Sequence, residues 1–175
     1  ALIARKGLTG PATILEGKHG FCQAFADKYA LDEITMDLGR DFKVVLGSGI
    51  KAYCACGGIH AGLDALRQLV NEHRFGAGDV AEITMGTNRR TVSHIAAEPT
   101  DITGAQFSCA FSFGLLLVRG SNGFKDYTEQ TLRDPRILDL ASKVKLEIDR
   151  EVDSEFPATR GARVTVKLKI GRAHV

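Results

Sequence analysis

The amino-acid sequence predicts an α+β fold: a helical N-terminal segment, then a compact unit with an open, small mixed, partly antiparallel sheet. Two observations predict it. Up to Gly39 the apolar residues recur at helical spacing between glycine stops. Beyond it, segments that alternate apolar and polar residues are interleaved with segments of period about 3.6. The resulting order is helix, helix, then β-α-β-α-α-β-β, with no internal repeat and no low-complexity stretch.

Each element has a local reason. Ala1 to Lys6 reads as a helix end stopped by Gly7, glycine being the residue that tolerates the left-handed conformation. "TGPATILEG" reads as a short helix with Pro11 in its first turn and Gly17 at its stop. "FCQAFADKYAL" places Phe21, Ala24, Phe25 and Tyr29 on one helical stripe, and a further short helix runs from Asp32 to Leu38. "FKVVL" is the first expected strand. Leu63, Leu66 and Val70 give a helix from Ile59 to about Glu72. "DVAEITMGT" is expected as a strand with Val80, Glu82 and Thr84 on one face and Ala81, Ile83 and Met85 on the other. One long apolar helix is expected from about Thr103 to Arg119, closed by Gly120, with its "FSFGLLLV" stripe in the core. Thr128 suits an N-cap, and Asp134-Pro135 opens another short helix. "KVKLEIDRE" and "ARVTVKLKIG" are the closing strands, the second exposing Arg163, Thr165, Lys167 and Lys169.

Composition narrows the function. With 175 residues, 44% of them apolar, the chain can bury a core. A net charge of +2 without a basic run argues against a nucleic-acid or membrane-surface partner. No stretch approaches the ~18 apolar residues of a membrane span. The opening "ALIARKGLTGP" reads as the tail of a helix, so the chain is expected to begin inside a larger protein. Cys54-Ala-Cys56 with His60 lacks the second spaced pair that a structural zinc site uses, so no metal is expected. Cys22, Cys54, Cys56 and Cys109 suit free thiols in a reducing cytoplasm. His19, His73 and His94 have no spaced partner and read as solvated.

Chemistry concentrates in "GSGIKAYCACGGIHAG", Gly47 to Gly62. This stretch joins an expected strand to a helix N-terminus, where unpaired N–H groups attract anions. Gly57 and Gly58 allow close backbone approach, and Lys51 adds a full cation. His60 can donate to a carboxylate or move a proton near neutral pH. Asp64, one turn on, is placed to orient the imidazole, and Arg67 continues that polar face. The residues compose a receptor for a small carboxylate. A strand-to-helix turn ending in a solvated His–Asp pair accounts for the same pattern. G-x-G-x-x-G and Gly-Lys-Ser/Thr phosphate loops are both absent.

Three stretches carry a resemblance in order and spacing. "GLTGPATILEGKHGF", "IKAYCACGGIHAGLDAL" and "PTDITGAQFSCAFSFGLLLVRG" resemble the MmgE/PrpD family over nearly the whole chain. That family includes 2-methylcitrate dehydratase, cis-aconitate decarboxylase and iminodisuccinate epimerase. The resemblance implies that residues 1–39 are the C-terminal part of an all-α domain, and that residues 40–175 form most of a two-layer α/β lid. It also implies a cytoplasmic homodimer acting on a small di- or tricarboxylate without a metal or organic cofactor. Further active-site residues would then lie upstream of Ala1, leaving the chain inactive by itself.

The chemistry so implied is proton transfer at a carbon beside a carboxylate. Carried over by position, Lys51 is the lid's carboxylate-binding cation, and His60 is the histidine that starts the lid helix. Asp64 is its partner. Apart from the resemblance, Cys56, Gly57 and Gly58 are expected to contact substrate from their place in the loop. Two positions depart from the pattern. Cys56 stands where the decarboxylase branch has a His, and Phe111 stands where relatives place a substrate-facing Tyr. Both departures argue against decarboxylation. Dehydration of 2-methylcitrate is the leading expectation. Epimerisation of a dicarboxylate, or a carboxylate-binding role without catalysis, are the alternatives.

Overall fold

A computed structural model describes residues 2–42, 44, 49–95, 98–169 and 171–174. The chain divides into two compact units, Ala1–Gly49 and Ile50–Val175.

The first unit holds short helical turns. Ala4–Lys6 is one turn of 3-10 helix ended by Gly7 at φ 92°, as its sequence predicts. The expected "TGPATILEG" helix reduces to turns, with Gly17 N–H reaching the Thr13 carbonyl at 2.8 Å. The next helix covers only Phe21–Phe25, so the expected stripe stops before Tyr29. A helix of five residues closes too few hydrogen bonds to offset its nucleation cost, and here no packing supplies the difference. Phe21 and Phe25 stay 59% and 77% exposed, and among the described residues of this unit only Gly20 is buried. Asp32–Thr35 is likewise shorter than expected. The expected "FKVVL" strand lies, apart from Phe42 and Val44, outside the described residues.

The second unit is built on a four-stranded mixed sheet: β1 (Val80–Thr87), β2 (Val144–Ile148), β3 (Arg163–Leu168) and β4 (Gly171–His174), in the order β2-β1-β3-β4. β1 pairs parallel with β2 and antiparallel with β3, and β3 pairs antiparallel with β4. The expected α+β class with a small mixed sheet is what forms.

One face of the sheet is apolar. Ile83 and Met85 of β1 and Val164 and Val166 of β3 are buried beneath two helices, His60–His73 and Cys109–Arg119. Leu63, Leu66 and Leu69 descend from the first helix and Phe113 and Leu116 from the second. Fully burying each such side chain contributes roughly 1.5–3 kcal/mol. The other face is polar. On it the Glu82 carboxylate takes hydrogen bonds from Lys145 of β2 and Lys167 of β3.

Three expectations are corrected. The strict alternation of β1 fails at its start, because a bulge between Val80 and Glu82 turns Val80 into the core and leaves Ala81 exposed. The single helix expected over Thr103 to Arg119 is two, Ile102–Phe107 and Cys109–Arg119. Ser108 between them is extended, at φ −93° and ψ 114°, and its hydroxyl caps the second helix by accepting from Phe111 N–H at 3.2 Å. Continuous apolar character hid that capping residue. Finally, "KVKLEIDRE" is a strand only to Ile148, after which Asp149 caps a helix over Arg150–Glu155. Gly120 (φ 71°), Thr128 and Asp134 stop and cap helices as expected.

Candidate active site

The glycine-rich stretch is described from Gly49 onward and is pinned to the Ile102–Phe107 helix and to the loop that follows Gly120. Cys54 N–H donates to the Asn122 carbonyl at 3.0 Å, and Cys56 N–H to the Gln106 carbonyl at 2.7 Å. Gln106 Nε2 also donates to Cys54 Sγ at 3.0 Å. The Asn122 side chain is itself locked, donating to the Ser112 carbonyl and accepting from the Tyr127 hydroxyl at 3.0 Å. Tyr53 and Ala55 turn inward and are buried. A single 3-10 turn, Gly57–Ile59, then leads into the helix that begins at His60.

Lys51 and His60 meet at one atom. Lys51 Nζ donates to the Ala55 carbonyl at 3.2 Å, and His60 Nε2 lies 3.2 Å from the same oxygen. A carbonyl oxygen only accepts, so both nitrogens are donors. A neutral imidazole here therefore carries its proton on Nε2 and offers its lone pair at Nδ1.

Asp64 is placed differently from its expected role. Its Oδ1 accepts from the Tyr53 hydroxyl at 2.5 Å, and among the described residues no hydrogen bond joins it to His60. Tyr53 instead links the two, its ring standing edge-on to the imidazole at 5.3 Å and 88°. Burial, then the Asp64 hydrogen bond, push the Tyr53 hydroxyl above its usual pKa, with Arg67 pulling the other way. The phenol therefore remains a donor.

The two glycines divide in role. Gly57 faces open space, whereas a methyl group on Gly58 would meet Thr91 Cγ2 at 2.7 Å. Smallness at Gly58 thus lets the loop pack on the Arg89–Ile95 helix. Cys56 is half-buried, and with Gly58 it lines a cleft of about 410 Å³ completed by Arg90, His94, Phe156 and Arg160. His94 is exposed, as read from the sequence, yet it belongs to this cleft. Arg90 lies four residues before it, a spacing that could have drawn attention to the pair. Arg160 comes from a distant segment with no local marker.

Phe111 is 1% exposed and packs against Tyr127 with ring centroids 6.0 Å apart. It lies in a core cluster with Ala105, Leu115 and Ile137, so this position brings no hydroxyl to the loop. Burial also raises the Cys109 thiol pKa far above its usual value, which makes that residue an inert packing group. Among the described residues no group of three or more His, Cys, Asp or Glu is arranged to hold a metal ion. No described helix is long and apolar enough to cross a membrane.

Residues 53–175 match the family model described as MmgE/PrpD C-terminal domain. The chain belongs to the MmgE/PrpD family. A comparison with curated proteins finds no match. The matched segment contains Cys56, Gly57, Gly58, His60 and Asp64, while Lys51 falls just before it. Membership supports a lyase-like function at the level of the family.

Proposed function

We propose that the chain supplies the carboxylate-receiving lid of a cofactor-independent lyase, similar to 2-methylcitrate dehydratase. The observation that carries this reading is the shared acceptor: Lys51 Nζ and His60 Nε2 each lie 3.2 Å from the Ala55 carbonyl oxygen. A substrate carboxylate taking the place of that carbonyl would receive both donors, one of them a full cation, in charge-assisted hydrogen bonds.

The chemistry follows from the positions. Removing a proton α to a carboxylate leaves charge on the carboxylate oxygens, and Lys51 neutralises it as it accumulates. The imidazole of His60 moves a proton at Nδ1, with its ring held by Tyr53. In dehydration the C–H electron pair becomes the new C=C bond while the β C–O bond breaks and the hydroxyl leaves, protonated, as water. The reading includes residues 1–39 as the end of an all-α domain, residues 40–175 as the lid, and a cytoplasmic homodimer needing no metal.

Epimerisation of a dicarboxylate is the second reading, favoured by the burial of Phe111, which leaves no hydroxyl at that position to protonate a leaving group. Incubating the full-length protein with 2-methylcitrate in D₂O and following products by NMR separates the two. Alkene formation is the expected result. Deuterium uptake without alkene assigns epimerisation, and neither product would leave only carboxylate binding. Lys51→Ala is expected to weaken citrate binding about tenfold or more, the worth of a hydrogen bond to a charged group. Unchanged affinity would contradict the anchor role.

A further inference from the structure

We infer that the cleft formed by Arg90, His94 and Arg160 beside Cys56 and Gly58 is a subsite for a second carboxylate of the same small polycarboxylate. The inference rests on the carboxylate reading of the neighbouring Lys51–His60 pair.

Charge carries the argument first. Two guanidinium groups and an imidazole line this cleft, and no Asp or Glu is among its lining residues. Two other clefts that contain arginine each include a carboxylate in their lining, Asp139 beside Arg136 in one and Asp134 beside Arg133 and Arg136 in the other. On the segment that leads to Phe156, Asp153 takes Arg89, while Asp149 and Glu151 take Arg163. Among the described residues neither Arg90 nor Arg160 forms an ion pair.

Geometry adds direction. Arg90 and His94 are four residues apart on one helix, so they share a face. The Arg90 carbonyl lies 2.6 Å from His94 Nδ1 and can only accept, so Nδ1 carries a proton and Nε2 is the nitrogen that can turn to a ligand. Guanidinium groups match the planar fork of a carboxylate.

Size and lining select the ligand. The volume of about 410 Å³ is that of a small-molecule site. Ile95 and Phe156 supply apolar walls that suit the short hydrocarbon body of a di- or tricarboxylate and offer nothing to a bare inorganic anion. Cys56 precedes and Gly58 lies within the turn that follows Ala55, so the cleft adjoins in sequence the carbonyl shared by Lys51 and His60, and a polycarboxylate spanning the two would present one carboxylate to each. The arrangement would favour polycarboxylates over monocarboxylates.

The test is a ¹H–¹⁵N NMR titration of the full chain with citrate, following Arg90, His94 and Arg160 separately from Lys51 and His60. Citrate is expected to shift both sets, and propionate the Lys51–His60 set alone. Arg90→Gln with Arg160→Gln should weaken citrate about tenfold or more while leaving propionate unchanged. Both arginines are exposed, so the variant should keep the parent's thermal midpoint, and the unsubstituted chain provides the shift map in any case. Citrate shifts confined to Lys51 and His60 would overturn the subsite and spare the anchor. Shifts confined to the cleft would do the reverse, and no shift at either set would overturn both. Inorganic phosphate moving the cleft signals as strongly as citrate would overturn the assignment to carboxylates.

Discussion

A lysine ammonium and a histidine ring share one backbone carbonyl, which gathers two donors at a single point. The residues were legible because Lys51, Cys56, Gly57, Gly58 and His60 lie within one short stretch whose composition is unusual. The role of Asp64 was less legible. Helical spacing puts it near His60, but the buried Tyr53 hydroxyl reaches it first. Arg90 and Arg160 were not legible, since they meet Cys56 only through folding. Gly58 offers a direct test of loop packing. Gly58→Ala is expected to cost about 1–3 kcal/mol in urea unfolding, the usual range for overpacking. Thr91→Ser, which removes the clashing Cγ2, should recover most of that loss in the double variant. Gly57→Ala, which faces open space, should stay within about 0.5 kcal/mol of the parent. A Gly58→Ala loss that Thr91→Ser does not relieve would contradict the contact.

Elements were readable where one face is buried and a cap marks the boundary. The His60–His73 helix and β3 follow their apolar periods, with Val164 and Val166 inward on β3. They were misread where the marker lies inside an apolar run, as at Ser108, or where a bulge breaks the period, as at Val80. In the first unit, helical spacing without a surface to bury it yields only fragments. The sheet's polar face carries a pH prediction. Lys145 and then Lys167 hold the Glu82 carboxyl at about 2, below its usual 4.5. A folded value below the unfolded one means the contribution is complete above pH 4.5 and is lost as pH falls through 2. Glu82→Gln should therefore flatten the fall of the urea midpoint across that window, while Asp134, held at about 2 chiefly by Arg136, preserves its own share. An unaltered acid profile would show that the two lysines do not act on Glu82 in solution.

At the scale of the molecule, the second unit combines a one-sided apolar sheet, two covering helices and a pinned loop that carries Cys56, Gly57 and Gly58 and leads into His60. Fold class and family were legible because period and motif order are properties of the chain itself. The cationic cleft beside Cys56 and Gly58 was not, because it is set by three separate segments meeting in space. The central claim is that the Lys51–His60 pair receives a carboxylate in place of the Ala55 carbonyl. A crystal structure of the full-length protein with citrate tests it most directly. The account predicts one carboxylate oxygen about 3 Å from both Lys51 Nζ and His60 Nε2. Citrate bound elsewhere, with both nitrogens still on the Ala55 carbonyl, would contradict it.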